Sequence, residues 1–374
     1  MRGDAVSASL HHRIDGDGPV LFLGPSLGTS LALWDAVLPA LAKRYRVVRW
    51  DLPGHGGTAA DVLPAGSGLD DLADLVLHLA DELEIRRFGY AGVSLGGAVG
   101  VWLAARYPKR VTSLAVLCSA VRFGEPERWR QRADGVRRGG LAELTASAPT
   151  RLLSPATGAA TAAALTADHQ AIDPVGYAAC CDVLETLDLG EDLAKVIAPT
   201  LVVAGRDDRA APPDNARALA DGIRDSTLVE IPRAGHLAPM EQPERVADLL
   251  RHHLAADAGM AVRRAVLGDE HVDRATAGTT ELTRDFQDLI TRYAWGEIWT
   301  RTGLDRRTRS AITITALVAG GHHTELAMHI RAALRNGLTR AEIAEVLLQS
   351  AVYCGVPAAN TAFAVASRVL DEEP

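Results

Sequence analysis

The chain has 374 residues, too long for one typical domain, so two domains are expected. Its 48% hydrophobic and 23% charged residues supply apolar material for two cores and exclude a disordered chain. The formal net charge is −8, with scattered basic residues and no basic block, which argues against nucleic acid as a partner because that binding relies on Lys and Arg to replace counterions.

Residues 1–20 are polar and lack an apolar signal core, so no signal peptide is predicted. No apolar run approaches the roughly 20 residues that cross a bilayer, so no membrane partner is expected. The four cysteines (Cys118, Cys180, Cys181 and Cys354) form no C-x-x-C pair and predict a reduced, cytoplasmic protein. Residues 20–23 read as a buried strand running into a loop at Gly24-Pro25, and 34–41 carry helical spacing. Residues 45–50 are a strand, followed by the turn Asp51-Leu52-Pro53-Gly54-His55-Gly56. An amphipathic helix is predicted over 69–83, a strand over 88–93, a helix over 96–107 and a strand over 111–118. This alternation predicts a parallel sheet covered on both faces.

Residues 122–193 break the rhythm: they are rich in Ala, Arg and Leu, and read as a helical insertion. The sheet pattern resumes with a strand over 200–204, a helix over 215–221 and a strand over 226–231. Residues 254–278 are Ala-, Gly- and charge-rich, and a boundary near Asp257 gives domains 1–256 and 257–374. Beyond it only helices are predicted, roughly 284–297, 306–318, 325–336, 340–354 and 358–370. Asn336-Gly337 is a helix stop, and Thr339-Arg340-Ala341-Glu342 fits a capping box. The predicted fold class is therefore α/β with a helical lid, followed by an all-α domain.

Gly92-Val93-Ser94-Leu95-Gly96 is a G-x-S-x-G sequence between a predicted strand and a predicted helix, the context of a nucleophile elbow. Ser94 needs a base to take its proton, expected downstream after an acid. His236, in Ala234-Gly235-His236 after the last strand, fills that place. The acid is Asp208 or its neighbour Asp207, in the loop after 200–204. An oxyanion hole needs two backbone N–H groups. One is that of Leu95, and the other comes from the loop 24–29, at Leu27. In the insertion, Arg122, Arg128, Arg130 and Arg151 are candidates to pair with a substrate carboxylate, with Trp129 as an apolar wall. His169, His252 and His253 read as surface residues.

This constellation resembles the α/β-hydrolase fold over 20–254. The family pattern G-x-x-D-x-x-x-P selects Asp208. The family's usual His-Gly pair is replaced by Pro25-Ser26, which leaves Leu27 in the oxyanion position. Pro25-Ser26-Leu27-Gly28-Thr29 with Trp34-Asp35, and Gly176-Tyr177-Ala178-Ala179-Cys180, are similar to the 3-oxoadipate enol-lactonases.

In the C-terminal region, Glu325 and His329 lie one helical turn apart, and His322 can point the same way from the helix start. Neither H-E-x-x-H nor H-x-x-E-H occurs, so no metal is expected. Residues 262–269, 294–299 and 329–339 resemble the 4-carboxymuconolactone decarboxylases. The wider superfamily includes alkylhydroperoxidase-D-like proteins with a C-x-x-C pair. At those positions this chain carries His322 and Glu325, which disfavours a thiol peroxidase.

The resemblance implies cofactor-free acid/base decarboxylation, with His329, Glu325 and His322 as proton donor and orienters. Arg301 or Arg309 would bind a substrate carboxylate, with Trp295 in the substrate site. It also implies a homo-oligomer built through this domain. The fusion implies a bifunctional enzyme acting on small lactone carboxylates: the C-terminal domain makes 3-oxoadipate enol-lactone and the N-terminal domain hydrolyses it. The alternatives are a generic carboxylesterase or haloperoxidase-like hydrolase with a non-catalytic oligomerisation domain, or a binding protein without activity.

Overall fold

The structure, a computed structural model, describes residues 9–372. The first eight residues of the polar 1–20 segment lie outside the described residues. The chain divides into two compact units, Met1–Leu254 and Ala255–Pro374.

The first unit is built on a seven-stranded sheet of β1 (His12–Asp15), β2 (Val20–Gly24), β3 (Arg46–Trp50), β4 (Phe88–Val93), β5 (Val111–Leu117), β6 (Thr200–Gly205) and β7 (Ser226–Ile231). The strand order is β1-β3-β2-β4-β5-β6-β7, and all pairs are parallel except β1 with β3. Every residue of β4 and β6 is buried, as a sheet covered on both faces requires. β1 was not predicted. It is a short polar edge strand, half exposed, so it carries no apolar signal. The chain leaves β2 toward β3 on one side, and β4 lies on the other. The loops after β2 and β4 therefore flank a switch point, where open α/β sheets bind ligands.

Short helix α1 (Leu38–Leu41) precedes β3, and α2 (Leu69–Glu82) follows it. Leu69, Leu72, Ala73, Val76 and Ala80 form the buried stripe of α2, the spacing that predicts it. Helix α3 (Leu95–Arg106) follows the nucleophile turn. The predicted insertion is present between β5 and β6 as α4 (Pro126–Gly139), α5 (Ala142–Leu152), α6 (Ala159–Gln170) and α7 (Pro174–Thr186). Helix α8 (Pro213–Gly222) and the single turn α9 (Ala238–Glu241) complete the sheet's surroundings.

The stretch 254–278 is not a coil. Helix α10 (Pro243–Leu267) runs through it, and α11 (Asp269–Ala277) follows after Gly268, whose φ is +88°. Ala, Arg and Leu are good helix formers, and this outweighs the linker-like composition. The second unit continues with α12 (Glu281–Ile290), a π-helical segment Thr291–Ile298, α13 (Arg306–Gly320), α14 (His323–Arg335), α15 (Arg340–Cys354) and α16 (Val356–Glu372). One core joins Ile314, Leu326, Ile330, Ile343, Leu347 and Val365. A second joins Val262, Val266, Val272, Trp295 and Ala332. The π segment meets α10 through two glycines. A Cβ at Gly259 would sit 2.0 Å from the Thr291 carbonyl oxygen, and one at Gly296 would sit 2.1 Å from that of Ala255. The capping box forms: Thr339 Oγ1 accepts the Glu342 N–H at 3.2 Å, and Glu342 accepts the Thr339 N–H at 2.8 Å.

Candidate active sites

Ser94 sits between β4 and α3 with φ +56° and ψ −118°, a strained conformation for a non-glycine residue. The neighbouring glycines permit it. A Cβ at Gly92 would lie 2.3 Å from the Gly96 carbonyl oxygen, and one at Gly96 would lie 2.5 Å from that of Pro25. The Gly96 N–H in turn donates to the Pro25 carbonyl at 3.1 Å, joining the elbow to the loop after β2. The Leu27 and Leu95 amides have no protein partner among the described residues, which leaves both N–H groups available for an oxyanion.

His55, in the turn after β3, braces the same loop. Its Nδ1 is 2.8 Å from the Pro53 carbonyl oxygen, and its Nε2 accepts the Gly28 N–H at 3.1 Å. Burial pushes its pKa down to about 4, so the ring is neutral and holds this donor–acceptor arrangement.

His236 follows β7 and is buried. Its Nδ1 lies 2.8 Å from Asp208 Oδ2, while Asp208 Oδ1 accepts the Ala210 and Ala211 amides at 2.8 and 2.9 Å. Asp207 points elsewhere and accepts from the Ser154 hydroxyl. Of the two carboxylates left open by the residues alone, Asp208 meets the imidazole.

A cavity of about 510 Å³ opens over Ser94 and His236 beneath the lid helices. Of the lid candidates, Arg151, Arg128 and Trp129 line it. Arg122 and Arg130 do not: Arg122 pairs with Asp188, and Arg130 with Glu185 at 2.6 Å and Glu127 at 3.0 Å, on exposed faces where acidic neighbours already neutralise them. Arg132 was missed, and it lies 4.5 Å over the Trp129 ring at the cavity wall. Arg151 donates to the Ser147 hydroxyl and the Leu144 carbonyl, not to a carboxylate. Burial, with Arg132 and Arg128 adding to it, lowers its pKa, the signature of a cation short of counter-charge. His169 is also a cavity residue and only 1% exposed, contrary to the surface position expected for it. Its helix has an almost uniform Ala-rich face, so no periodicity marks which side is buried.

In the C-terminal unit His329 packs against Trp295, with ring centroids 6.5 Å apart and planes within 14°. Burial, with His271 as a second cause, lowers the His329 pKa to about 4, while the nearby Glu325 carboxylate opposes the shift. Glu325 and His322 are exposed at the start of α14, and His322 folds back over Gly320. Arg309 donates to the Arg301 carbonyl at 2.8 Å, and Arg301 itself is exposed. A cavity of about 630 Å³ is lined by His271, Arg274, Met328 and Arg335 among others. None of His322, Glu325, His329, Trp295, Arg301 or Arg309 lines it, though His271, which does, acts on the charge of His329. Arg335 has no acidic partner among the described residues and donates only to the Val266 carbonyl. It lay inside the stretch that carries the resemblance, whereas His271 sits in a charged helix that gives no signal.

The family model described as "alpha/beta hydrolase fold" matches residues 19–243, and "Carboxymuconolactone decarboxylase family" matches 284–368. A 3-oxoadipate enol-lactonase from Acinetobacter baylyi is 33% identical over 231 residues, 61% of this chain and 85% of that protein. A 4-carboxymuconolactone decarboxylase from the same organism is 45% identical over 114 residues, 30% of this chain and 85% of that protein. The crystal structure of the enol-lactonase from Burkholderia xenovorans superposes with a TM-score of 0.62 at 33% identity, covering 66% of this chain and 96% of the other. The chain therefore belongs to the α/β-hydrolase family through its N-terminal part and to the carboxymuconolactone decarboxylase family through its C-terminal part, a hydrolase and a decarboxylase fused in one polypeptide.

Proposed function

We propose that the chain catalyses two consecutive steps, decarboxylation of 4-carboxymuconolactone to 3-oxoadipate enol-lactone and hydrolysis of that lactone to 3-oxoadipate. The observation that carries the hydrolase half is the Asp208–His236 pair beside Ser94, in a cavity where Arg151 lacks a carboxylate partner. Ser94 Oγ attacks the ring carbonyl as His236 takes its proton, and the Leu27 and Leu95 amides hold the oxyanion. The C–O bond breaks toward an enolate, a better leaving group than an alkoxide. Water then hydrolyses the acyl-serine, and the enol product becomes the ketone. Arg151, with Arg128 and Arg132, holds the substrate carboxylate.

In the second unit, loss of CO2 leaves an electron pair that the conjugated lactone carbonyl accepts as a dienolate, and a proton returns to carbon. His329 is the proton carrier of this reading. Its pKa near 4 keeps the ring neutral. A dicarboxylate bound beside it favours the protonated ring, so substrate arms the acid. Arg335, which lacks an acidic partner among the described residues, is added to Arg301 and Arg309 as a candidate for the carboxylates, with Trp295 as the wall against which the imidazole is held. Glu325, whose charge acts on His329, and His322 are the orienters of the imidazole in this reading.

The chain is further proposed to work as a cytoplasmic homo-oligomer through its C-terminal unit. No described helix is long and apolar enough to cross a membrane. The reading of the second unit as a non-catalytic oligomerisation module is less favoured, given its identity to a decarboxylase over nearly that protein's whole length.

The purified chain, given 4-carboxymuconolactone, is expected to yield both CO2 and 3-oxoadipate. Ser94→Ala should release CO2 and accumulate the enol-lactone. His329→Ala should abolish CO2 release yet hydrolyse added enol-lactone. Loss of CO2 release in folded Ser94→Ala would overturn this division of labour.

A further inference from the structure

The lid presents one imidazole to the hydrolase cavity that neither the triad nor the arginines explain. His169 is 1% exposed and lines the cavity with Ser94, His236 and Arg151. Its Nδ1 lies 2.8 Å from the Thr145 hydroxyl on the neighbouring lid helix. Its other nitrogen, Nε2, hydrogen-bonds to no protein group among the described residues. A neutral, desolvated imidazole with one free edge toward a ligand cavity needs a partner, because a buried polar group without one is costly.

The ring is also placed where the reaction occurs. It covers Gly28 of the oxyanion loop, whose φ is +90°; a Cβ there would come within 3.2 Å of Nε2. The preceding residue, Asp168, accepts the Ser30 N–H at 2.7 Å, fastening this end of α6 to the same loop. Thr145 has no other side-chain partner among the described residues, so its O–H can donate to Nδ1. In that tautomer the imidazole proton sits on Nε2, the nitrogen left without a protein partner among the described residues, in a ring that lines the cavity. Burial and the Arg151 charge keep the ring neutral, with a pKa near 4. A second cation beside Arg151 is thereby avoided, while one N–H remains to donate.

We propose that His169 is a specificity-determining residue whose Nε2–H donates a hydrogen bond to the substrate carboxylate held by Arg151, with Thr145 directing the proton to that nitrogen. The proposal rests on the reading of this cavity as a site for an ester that bears a carboxylate. It makes substrate recognition and the oxyanion loop share one short piece of lid.

The test compares two aryl esters on the full chain, p-nitrophenyl butyrate, which is neutral, and mono-p-nitrophenyl glutarate, which carries a carboxylate. The wild type should favour the acidic ester. In His169→Phe the acidic-to-neutral ratio of kcat/KM should fall by about 10- to 100-fold, mostly through KM for the acidic ester. His169→Gln, which keeps an N–H donor, should recover most of the ratio. Thr145→Val, which keeps the ring, should lower the ratio by about threefold or more, and it carries the test if His169→Phe does not fold. An unchanged ratio in these variants, or an equal fall for both esters, would overturn the role of His169 while leaving the cavity reading intact. A wild type indifferent to the carboxylate would overturn both.

Discussion

At the scale of single residues, hydrolysis depends on two strands ending side by side. Gly24 of β2 pairs with Gly92 of β4, and the loop and elbow beyond them touch through Gly96. A methyl group at Gly96 meets backbone at 2.5 Å and cannot be relieved by a rotamer change. Gly96→Ala is therefore expected to push Leu27 and Leu95 apart and to lower kcat for lactone hydrolysis by at least about tenfold. Stopped-flow kinetics on a variant with unchanged circular dichroism checks this. Arg151→Met should act differently, raising KM for the enol-lactone by about 10- to 100-fold.

His55 supplies a pH dependence with a definite sign. Its pKa is about 4 when folded, below the ordinary 6.5, so between these values the unfolded chain binds a proton that the folded chain does not. Stability present above pH 6.5 is lost as pH falls toward 4, by about 3 kcal/mol for this residue. Urea midpoints measured from pH 7.5 to 4.5 should fall, and His55→Gln should flatten part of the fall. His169 and His329, both near 4, act in the same direction.

At the scale of elements, the second unit depends on local chemistry that can be removed piece by piece. Thr339 satisfies the first turn of α15, and Thr339→Ala should cost about 1 kcal/mol in denaturant unfolding. Gly259 allows α10 to lie against the π segment, with the Thr291 oxygen where a Cβ would be. Gly259→Ala should destabilise that packing by about 1–3 kcal/mol. The capping box was legible in the sequence because it is written in four adjacent residues. The inner strands were legible as short continuous apolar runs, and α2 because its apolar residues repeat at helix spacing. β1 was not, since a polar edge strand owes its form to β3. The π turn inside the predicted 284–297 helix was not either; it packs against Gly259, more than thirty residues away, a contact that no local pattern encodes.

At the scale of the whole molecule, the second unit exposes two groups of large apolar side chains. Leu282, Phe286, Leu289 and Tyr293 share one face of α12 and its continuation, and Leu348, Val352, Tyr353 and Val356 cluster around the end of α15. Patches of this kind mark association surfaces. Sedimentation velocity is expected to show an oligomer, and Phe286→Glu with Val352→Glu should shift it toward monomer; a monomeric wild type would refute the proposed assembly.

Ser94 and His236 were proposed from short motifs in a strand-then-helix context, and the two-part organisation was legible because the chain changes class from α/β to all-α. The choice of cavity arginines belonged to tertiary structure. Arg122, Arg128, Arg130, Arg132 and Arg151 look alike along the chain, and only folding decides which ones find carboxylates on an exposed helix face and which line the cavity over the serine without one. The same holds for His169. Nothing in its neighbours distinguishes a solvated histidine from one buried in the cavity wall; that difference arises when α6 is fastened across the oxyanion loop.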